Sequence, residues 1–265
     1  MKTVLITGAS DGLGLATAAR LLAQGHCVLL HGRSATKLAS VANSLSQYGD
    51  RVETYVADLA DLTSIAGLAE AISTRHTAID ALINNAGVFK LADPSTASGI
   101  DVRLVVNTIA PYLLTRILLP VMAANGRVVN ISSAAQTPLN WRGLKEKARY
   151  SDAMQAYAES KFATTCWTLA LANREKGDVS YVSLNPGSLL ATKMVQEGFG
   201  IAGNQVDRGA VLVADAAVGE SFAGVTGKYF DNDSERFANP LPQASNPQYQ
   251  AKLLATLEAI GQQFS

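Results

Sequence analysis

The run Tyr157-Ala158-Glu159-Ser160-Lys161 sets a phenol and an amine four residues apart, the spacing that puts two side chains on one face of a helix. A tyrosine with an unperturbed pKa of about 10 is a poor acid–base catalyst at neutral pH. A nearby ammonium favours the phenolate and lowers that pKa. So poised, Tyr157 can give a proton to a carbonyl oxygen as hydride arrives at its carbon. Tyr157 alone among the eight tyrosines has a lysine four residues on. Such a pair also arises by chance, so its weight comes from what surrounds it.

A second stretch with chemical potential is Thr7-Gly8-Ala9-Ser10-Asp11-Gly12-Leu13-Gly14. Its glycines permit a tight turn and a close backbone approach to a pyrophosphate, and a helix opening there offers unpaired N–H groups to an anion. The spacing is G-x-x-x-G-x-G, not the commoner G-x-G-x-x-G of dinucleotide sites. Further on, His31-Gly32-Arg33-Ser34 stands where an NAD site would carry a carboxylate for the ribose 2′-hydroxyl. Arg33 can instead pair bidentately with a 2′-phosphate, and Ser34 adds a hydroxyl. This favours NADP(H) over NAD(H), although Asp11 in the same loop would oppose a phosphate that it faced.

The elements that must position these groups alternate along the chain. Short, nearly continuous apolar runs at Thr3–Thr7, Cys27–His31, Val52–Ala57, Asp80–Asn84 and Arg127–Ile131 read as strands buried on both faces. Helical spacing marks Gly12–Gln24, Ser34–Tyr48, Asp61–His76 and Gly99–Ala124, with Ser34 and Asp61 as N-caps and Gly25 and Gly49 as stops. A helix at Asp152–Glu175, strands at Ser180–Leu184 and Gly227–Phe230, and a C-terminal helix at Gln248–Gln263 follow. The alternation predicts an α/β Rossmann fold: a doubly wound parallel sheet with helices on both faces. With no linker or internal repeat, residues 1–265 read as a single domain. Asn84-Asn85-Ala86-Gly87 and Asn130-Ile131-Ser132-Ser133 then close the fourth and fifth strands, where open α/β sheets bind ligands.

Composition narrows the partners. Lys plus Arg and Asp plus Glu each number 22, so no global positive field draws the chain to nucleic acid. With 48% hydrophobic and 17% charged residues the chain can bury a large core. Cys27 and Cys166 match no disulfide or zinc spacing and read as small buried hydrophobes; no metal is expected. The N-terminus shows no leader pattern, and the most membrane-like stretch, Ile109–Ala124, is interrupted by Arg116 and Pro120. A soluble, cytoplasmic protein that does not engage the membrane is the expectation.

In joint order and spacing, Thr7–Gly14, Asp58-Leu59, Asn84–Gly87, Asn107, Ser133, Tyr157/Lys161 and Pro186-Gly187 with Thr192 resemble the short-chain dehydrogenase/reductase superfamily over nearly the whole chain. The resemblance implies carbonyl–alcohol oxidoreduction with Asn107, Ser133, Tyr157 and Lys161 as the catalytic set. Ser133 would bond the substrate carbonyl, with Ser132 its competitor, Lys161 would hold the nicotinamide ribose, and Asn107 would position a water in a proton relay. The cofactor site would comprise Gly8, Ser10, Gly12, Leu13, Gly14, Arg33, Ser34, Asp58 at the adenine, Leu59, Asn85, Ala86 and Gly87, with Tyr157, Lys161, Pro186, Gly187 and Thr192 around the nicotinamide.

Ser133 and Tyr157 lie 24 positions apart, more than is usual in the family. The extra segment, Gln136–Tyr150, and the stretch Gly227-Lys228-Tyr229-Phe230-Asp231 are similar to the retinol dehydrogenase-like and WW-domain oxidoreductase-like branch. Trp141 in that segment and an apolar set of Leu189, Leu190, Met194, Val195 and Phe199 suggest a pocket for a mostly apolar ketone or aldehyde. The family resemblance also makes a homodimer or homotetramer plausible, through helices that include Ala110–Ala124 and Tyr157–Glu175. A binding-only NADP(H) regulator is the principal rival. Sugar-nucleotide epimerases need a larger C-terminal lobe, and enoyl reductases space their Tyr and Lys more widely.

Overall fold

The apolar runs pair into one eight-stranded sheet in the order β3-β2-β1-β4-β5-β6-β7-β8. Its strands are β1 (Thr3–Ile6), β2 (Cys27–Gly32), β3 (Val52–Val56), β4 (Ile79–Asn84), β5 (Met122–Ile131), β6 (Ser180–Asn185), β7 (Lys228–Asp231) and β8 (Arg236–Ala238). Every pairing is parallel except β7–β8. The computed structural model describes residues 1–175, 177–188, 190 and 205–264. Strand β8, only three residues long, carries too little apolar pattern for sequence reasoning to find.

Helices cover both faces, as the buried-strand pattern requires. On one face α1 (Gly12–Ala23), α2 (Ala35–Ser44) and α7 (Val206–Val218) bury Leu21, Leu22, Leu38 and Val213 against the sheet. On the other lie α3 (Ser64–Arg75), α4 (Val102–Val121), α6 (Ala153–Arg174) and α8 (Pro247–Gly261). Ser34 caps α2 by accepting the Lys37 N–H. Asp61 instead accepts from Thr63 in a turn that precedes α3, so the helix starts three residues later than its carboxylate suggests. Cys166 is buried, whereas Cys27 is half-buried at the start of β2.

Helix α4 begins at Val102 and is long and apolar enough to cross a bilayer, so shortness does not exclude a span; 67% of that window is buried, as in a core helix. Its middle widens into a π-turn at Val105–Ile109, where the Ala110 N–H reaches the Val105 carbonyl. A turn at Leu119–Val121, containing Pro120, ends the helical run before β5 opens at Met122. The outer surfaces of α4 and α6, where pairing with a second copy was expected, carry α8. Leu253, Leu254, Leu257 and Ile260 join the same core cluster as Leu114, Leu118, Phe162 and Cys166. A Cβ on Gly261 would lie 2.5 Å from Leu113 Cδ2, so α8 rests directly on α4.

A buried amide network ties the strand ends that bear the site. Asn84 Nδ2 on β4 donates to Asn130 Oδ1 on β5 (2.8 Å) and to Thr115 Oγ1 on α4 (3.0 Å). Asn130 Nδ2 continues to Thr168 Oγ1 on α6 at 2.9 Å. One residue beyond Asn84 the cleft-lining segment begins, and three beyond Asn130 stands Ser133. Leaving a buried polar group unpaired costs about 1–3 kcal/mol. Asn130→Ala should therefore lower unfolding stability by about 2 kcal/mol or more in urea titration, and an unchanged midpoint would show that the network does not hold the strand ends.

Candidate active site

A cleft of about 800 Å³ opens at the carboxyl ends of the parallel strands and is lined by most of the residues singled out in the sequence. Its floor begins at the glycine loop. The Thr7 hydroxyl accepts the Asn85 and Ala86 N–H groups, both at 3.0 Å. Asn85 Nδ2 returns bonds to the Thr7 and Gly8 carbonyls at 2.9 and 3.0 Å. Asn85 thus lines the cleft while its side chain is committed to holding the loop. A Cβ on Gly14 would lie 2.3 Å from the Gly8 carbonyl oxygen, so this approach admits only glycine. Asp11, at the N-cap of α1, makes no side-chain cap bond, and Gly12 and Leu13 behind it line the cleft. First-turn N–H groups lack intrahelical acceptors and so are disposed toward an anion.

Arg33, Ser34 and Asp58 lie at the far end of the cleft, with Leu59 beside them. The Ser34 oxygen is used as a helix cap, which leaves its proton to donate. Two lining residues were not foreseen here. Lys37, one helical turn after Arg33, adds a second cation, a signal available from the i, i+4 spacing. His31 is 2% exposed, accepts the Gly8 N–H at Nδ1 (3.4 Å) and meets the Ala57 carbonyl through Nε2 (3.1 Å). Burial lowers its pKa to about 4, so the ring is neutral and Nε2 carries the proton. It joins the glycine loop to the segment after β3; no spacing rule pointed to it.

Ser133 and Tyr157 both line the cleft, and the nearby Ser133 hydroxyl favours the Tyr157 phenolate. The Tyr157 ring packs against Phe89 with centroids 5.1 Å apart. Lys161 Nζ lies 5.6 Å from the centre of that ring and donates to the Ile131 carbonyl at 2.8 Å. Lys161 is 3% exposed, and burial lowers its pKa to about 8. Burial raises the Tyr157 pKa, against a smaller lowering from the Ser133 hydroxyl. A lysine that is itself desolvated contributes less positive charge.

Ser132 and Ser133 separate cleanly. Ser132 is buried under α6, donating to the Lys161 carbonyl (2.9 Å) and meeting Thr165 Oγ1 (2.8 Å). Of the two, Ser133 is the one whose hydroxyl acts on the Tyr157 phenol. The Asn107 side chain clamps Val88 through both backbone groups and donates to Ser160 Oγ at 2.9 Å. Its carbonyl, in the π-turn, accepts from Thr164 Oγ1 at 2.7 Å. Asn107 therefore welds the segment after β4 to α6.

Pro186 and Gly187 border the cleft and are held from the β7–β8 turn. Asn232 Nδ2 donates to the Pro186 carbonyl (2.8 Å), and Asp233 accepts the Ser188 N–H (2.8 Å). Leu190 lines the cleft, whereas Leu189, Thr192, Met194, Val195 and Phe199 lie outside the described residues. The lining also includes the apolar side chains of Phe89, Leu91, Val106, Met154 and Leu190, with Lys90 among them.

Trp141 is not a pocket wall. It packs on Tyr249 of α8, 5.0 Å between centroids, beneath Lys252 Nζ at 4.0 Å. Residues 136–150 instead form a brace, with the short helix α5 (Trp141–Lys145) and its exposed Arg142–Glu146 pair on the outside. Glu159 of α6, 1% exposed, anchors the brace by accepting from the Tyr150 phenol (2.5 Å) and the Asn140 N–H (2.9 Å).

Comparison with known proteins agrees with this geometry. Residues 2–199 match the family model for short chain dehydrogenases. Human retinol dehydrogenase 13 is 30% identical over 96% of this chain and 82% of its own, and human polyprenol dehydrogenase is 30% identical over 88% and 78%. A short chain dehydrogenase from Shigella flexneri 2a, solved with NADP, superposes with a TM-score of 0.70 at 26% identity, covering 87% of this chain and 96% of its own. An uncharacterized protein from Mycobacterium paratuberculosis reaches a TM-score of 0.83 at 26% identity, over 99% and 94%. With its glycine loop, its Ser–Tyr–Lys cleft and these relatives in agreement, the chain belongs to the short-chain dehydrogenase family, in the retinol dehydrogenase-like branch.

Proposed function

We propose that the protein is an NADP(H)-dependent oxidoreductase that interconverts a mostly apolar ketone or aldehyde with its alcohol, using Tyr157 as general acid–base. The observation that carries this is that Ser133, Tyr157 and Lys161 line one cleft together with the glycine loop and Arg33. The cradle suits a dinucleotide: Gly8 turns at φ +66°, Gly14 lets α1 pack directly on that turn, and Gly12 and Leu13 of the first turn of α1 line the cleft. When bound, the nicotinamide supplies or accepts the hydride. Arg33 and Lys37 supply two cations for a 2′-phosphate, and Ser34 a hydroxyl proton. The NADP found with the Shigella relative, and the NADPH bound to a metagenomic blue fluorescent protein with a TM-score of 0.70 at 26% identity, support the same cofactor class.

Lys161 uses one of its three donors on Ile131, which leaves two for ribose hydroxyls. Ser133 and Tyr157 together hold the substrate oxygen, and the phenol moves the proton to or from it. Because burial raises the phenol, it stays protonated through neutral pH. Carbonyl reduction should accordingly be level between about pH 6 and 8, and alcohol oxidation should climb toward alkaline pH.

Two measurements test this. Tyr157→Phe should lower kcat on an accepted carbonyl by roughly 10²–10⁴-fold with NADPH binding retained; near-native turnover would remove Tyr157 from the chemistry. Wild-type protein that binds NADPH yet turns over nothing in a broad carbonyl panel would favour a binding-only regulator. Separately, Arg33→Ala and Lys37→Ala should each raise KM for NADPH by about tenfold or more and leave NADH nearly unaffected. A wild-type preference for NADH at equal concentration would cancel the role given to Arg33.

A further inference from the structure

The Gly227–Asp231 stretch and the extra segment after Ser133 have no part in the chemistry described so far, yet they meet at one atom. The Tyr229 phenol donates to the Ser133 carbonyl oxygen at 3.0 Å, and Gln136 Nε2 donates to the same oxygen at 2.8 Å. Tyr229 is 6% exposed and reaches this oxygen from β7, 96 residues downstream. Its register opposite Ser183 places it on the sheet face that α6 covers, since the Ser183 hydroxyl bonds Thr165 of α6. Gln136 and Tyr229, from two different elements, thus converge on one carbonyl oxygen. The other end of the Gln136 amide, Oε1, is buried without a partner among the described residues. That arrangement is costly unless the amide's donor end is needed where it is.

We propose that Tyr229 and Gln136 are positioning residues that fix the Ser133 peptide and so keep the Ser133 hydroxyl on the Tyr157 phenol. Ser133 lies beyond the last β5 pairing: the ladder ends at Ile131, and Ser132 makes the final backbone bond, to Leu184. Its carbonyl is gripped by side chains instead. The Ser133 hydroxyl also accepts the Ala135 N–H at 3.1 Å, a contact that survives only while the Ser133–Ala134 peptide keeps its orientation. Freeing the carbonyl lets that peptide turn, breaks the Ala135 contact and releases the hydroxyl to other rotamers. The effect then passes to Tyr157, which faces Ser133, the Phe89 ring and the Lys161 ammonium.

The inference rests on Tyr157 being the acid–base group, and the test separates the two. Tyr229→Phe and Gln136→Ala are compared with Tyr157→Phe and Ser133→Ala in kcat, KM and the pH profile of alcohol oxidation. Each positioning variant is expected to lose about ten- to hundredfold in kcat, with KM for NADP⁺ within about twofold. The rising limb should move to higher pH by up to about one unit, since the Ser133 hydroxyl favours the phenolate. In a Ser133→Ala background, Tyr229→Phe should add no further loss, because both act through one hydroxyl. An unmoved limb with unchanged kcat, or losses that multiply with Ser133→Ala, would overturn the proposal. Should Tyr229→Phe fold poorly, Gln136→Ala, at a half-buried position, decides alone. If Tyr157→Phe stays active the acid–base assignment itself fails. If it is inactive while both positioning variants behave as wild type, only this inference falls.

Discussion

The hydroxyl and charged side chains that α6 carries into the interior are matched there by hydrogen bonds, and that constraint organises the fold around the cleft. Glu159, Ser160, Lys161, Thr164, Thr165 and Thr168 are all at most 3% exposed. Between them they reach four parts of the fold: Glu159 the Gln136–Tyr150 segment, Ser160 and Thr164 the π-turn of α4, Lys161 and Thr168 β5, and Thr165 both Ser132 just past β5 and Ser183 of β6. A buried polar group is tolerated only with its partners. The same contacts that satisfy α6 therefore fix where the phenol of Tyr157 points. Polar satisfaction and site geometry are one set of bonds.

This explains why the cleft has a rigid middle and more open ends. Tyr157 and Lys161 stand on a helix locked on several sides, the setting that preorganised chemistry requires. At the phosphate end, Arg33 and Lys37 are exposed and act as charges at the rim. Lys161 sits between these regimes: its burial lowers its pKa to about 8, which leaves it responsive to any negative or hydroxyl-bearing group that enters.

How much was legible follows from the range of each signal. Most strand positions, the glycine loop and the Tyr157–Lys161 pair were readable because each rests on local spacing: a buried strand, a turn that only glycine allows, one helical turn. Ser133 was separable from Ser132 only by family pattern, since adjacent residues at a strand end point opposite ways and local sequence does not say which faces the cleft. Trp141 misled because an aromatic beside a catalytic serine suits a pocket wall as well as a brace; the deciding partner, Tyr249, is more than 100 residues away. His31 and Tyr229 were invisible for the same reason, their meaning lying in backbone atoms brought close by the sheet. The true helical amphipathicity of α6 was equally hidden, because a helix buried nearly all round shows no apolar stripe.

The brace that carries Trp141 and Leu139 is secured by α8: the Leu139 N–H donates to the Tyr249 phenol at 3.0 Å. In order of chain growth this ties residues flanking the catalytic serine to a helix that begins at Pro247, after every residue assigned to the cofactor or the proton. Long sequence separation makes such contacts slow to form, because loop closure is paid before the contact returns any stabilisation. The segment beside Ser133 is thus tied to one of the last elements of the chain to be made, whereas the glycine loop takes its holding bonds from residues within the first 86.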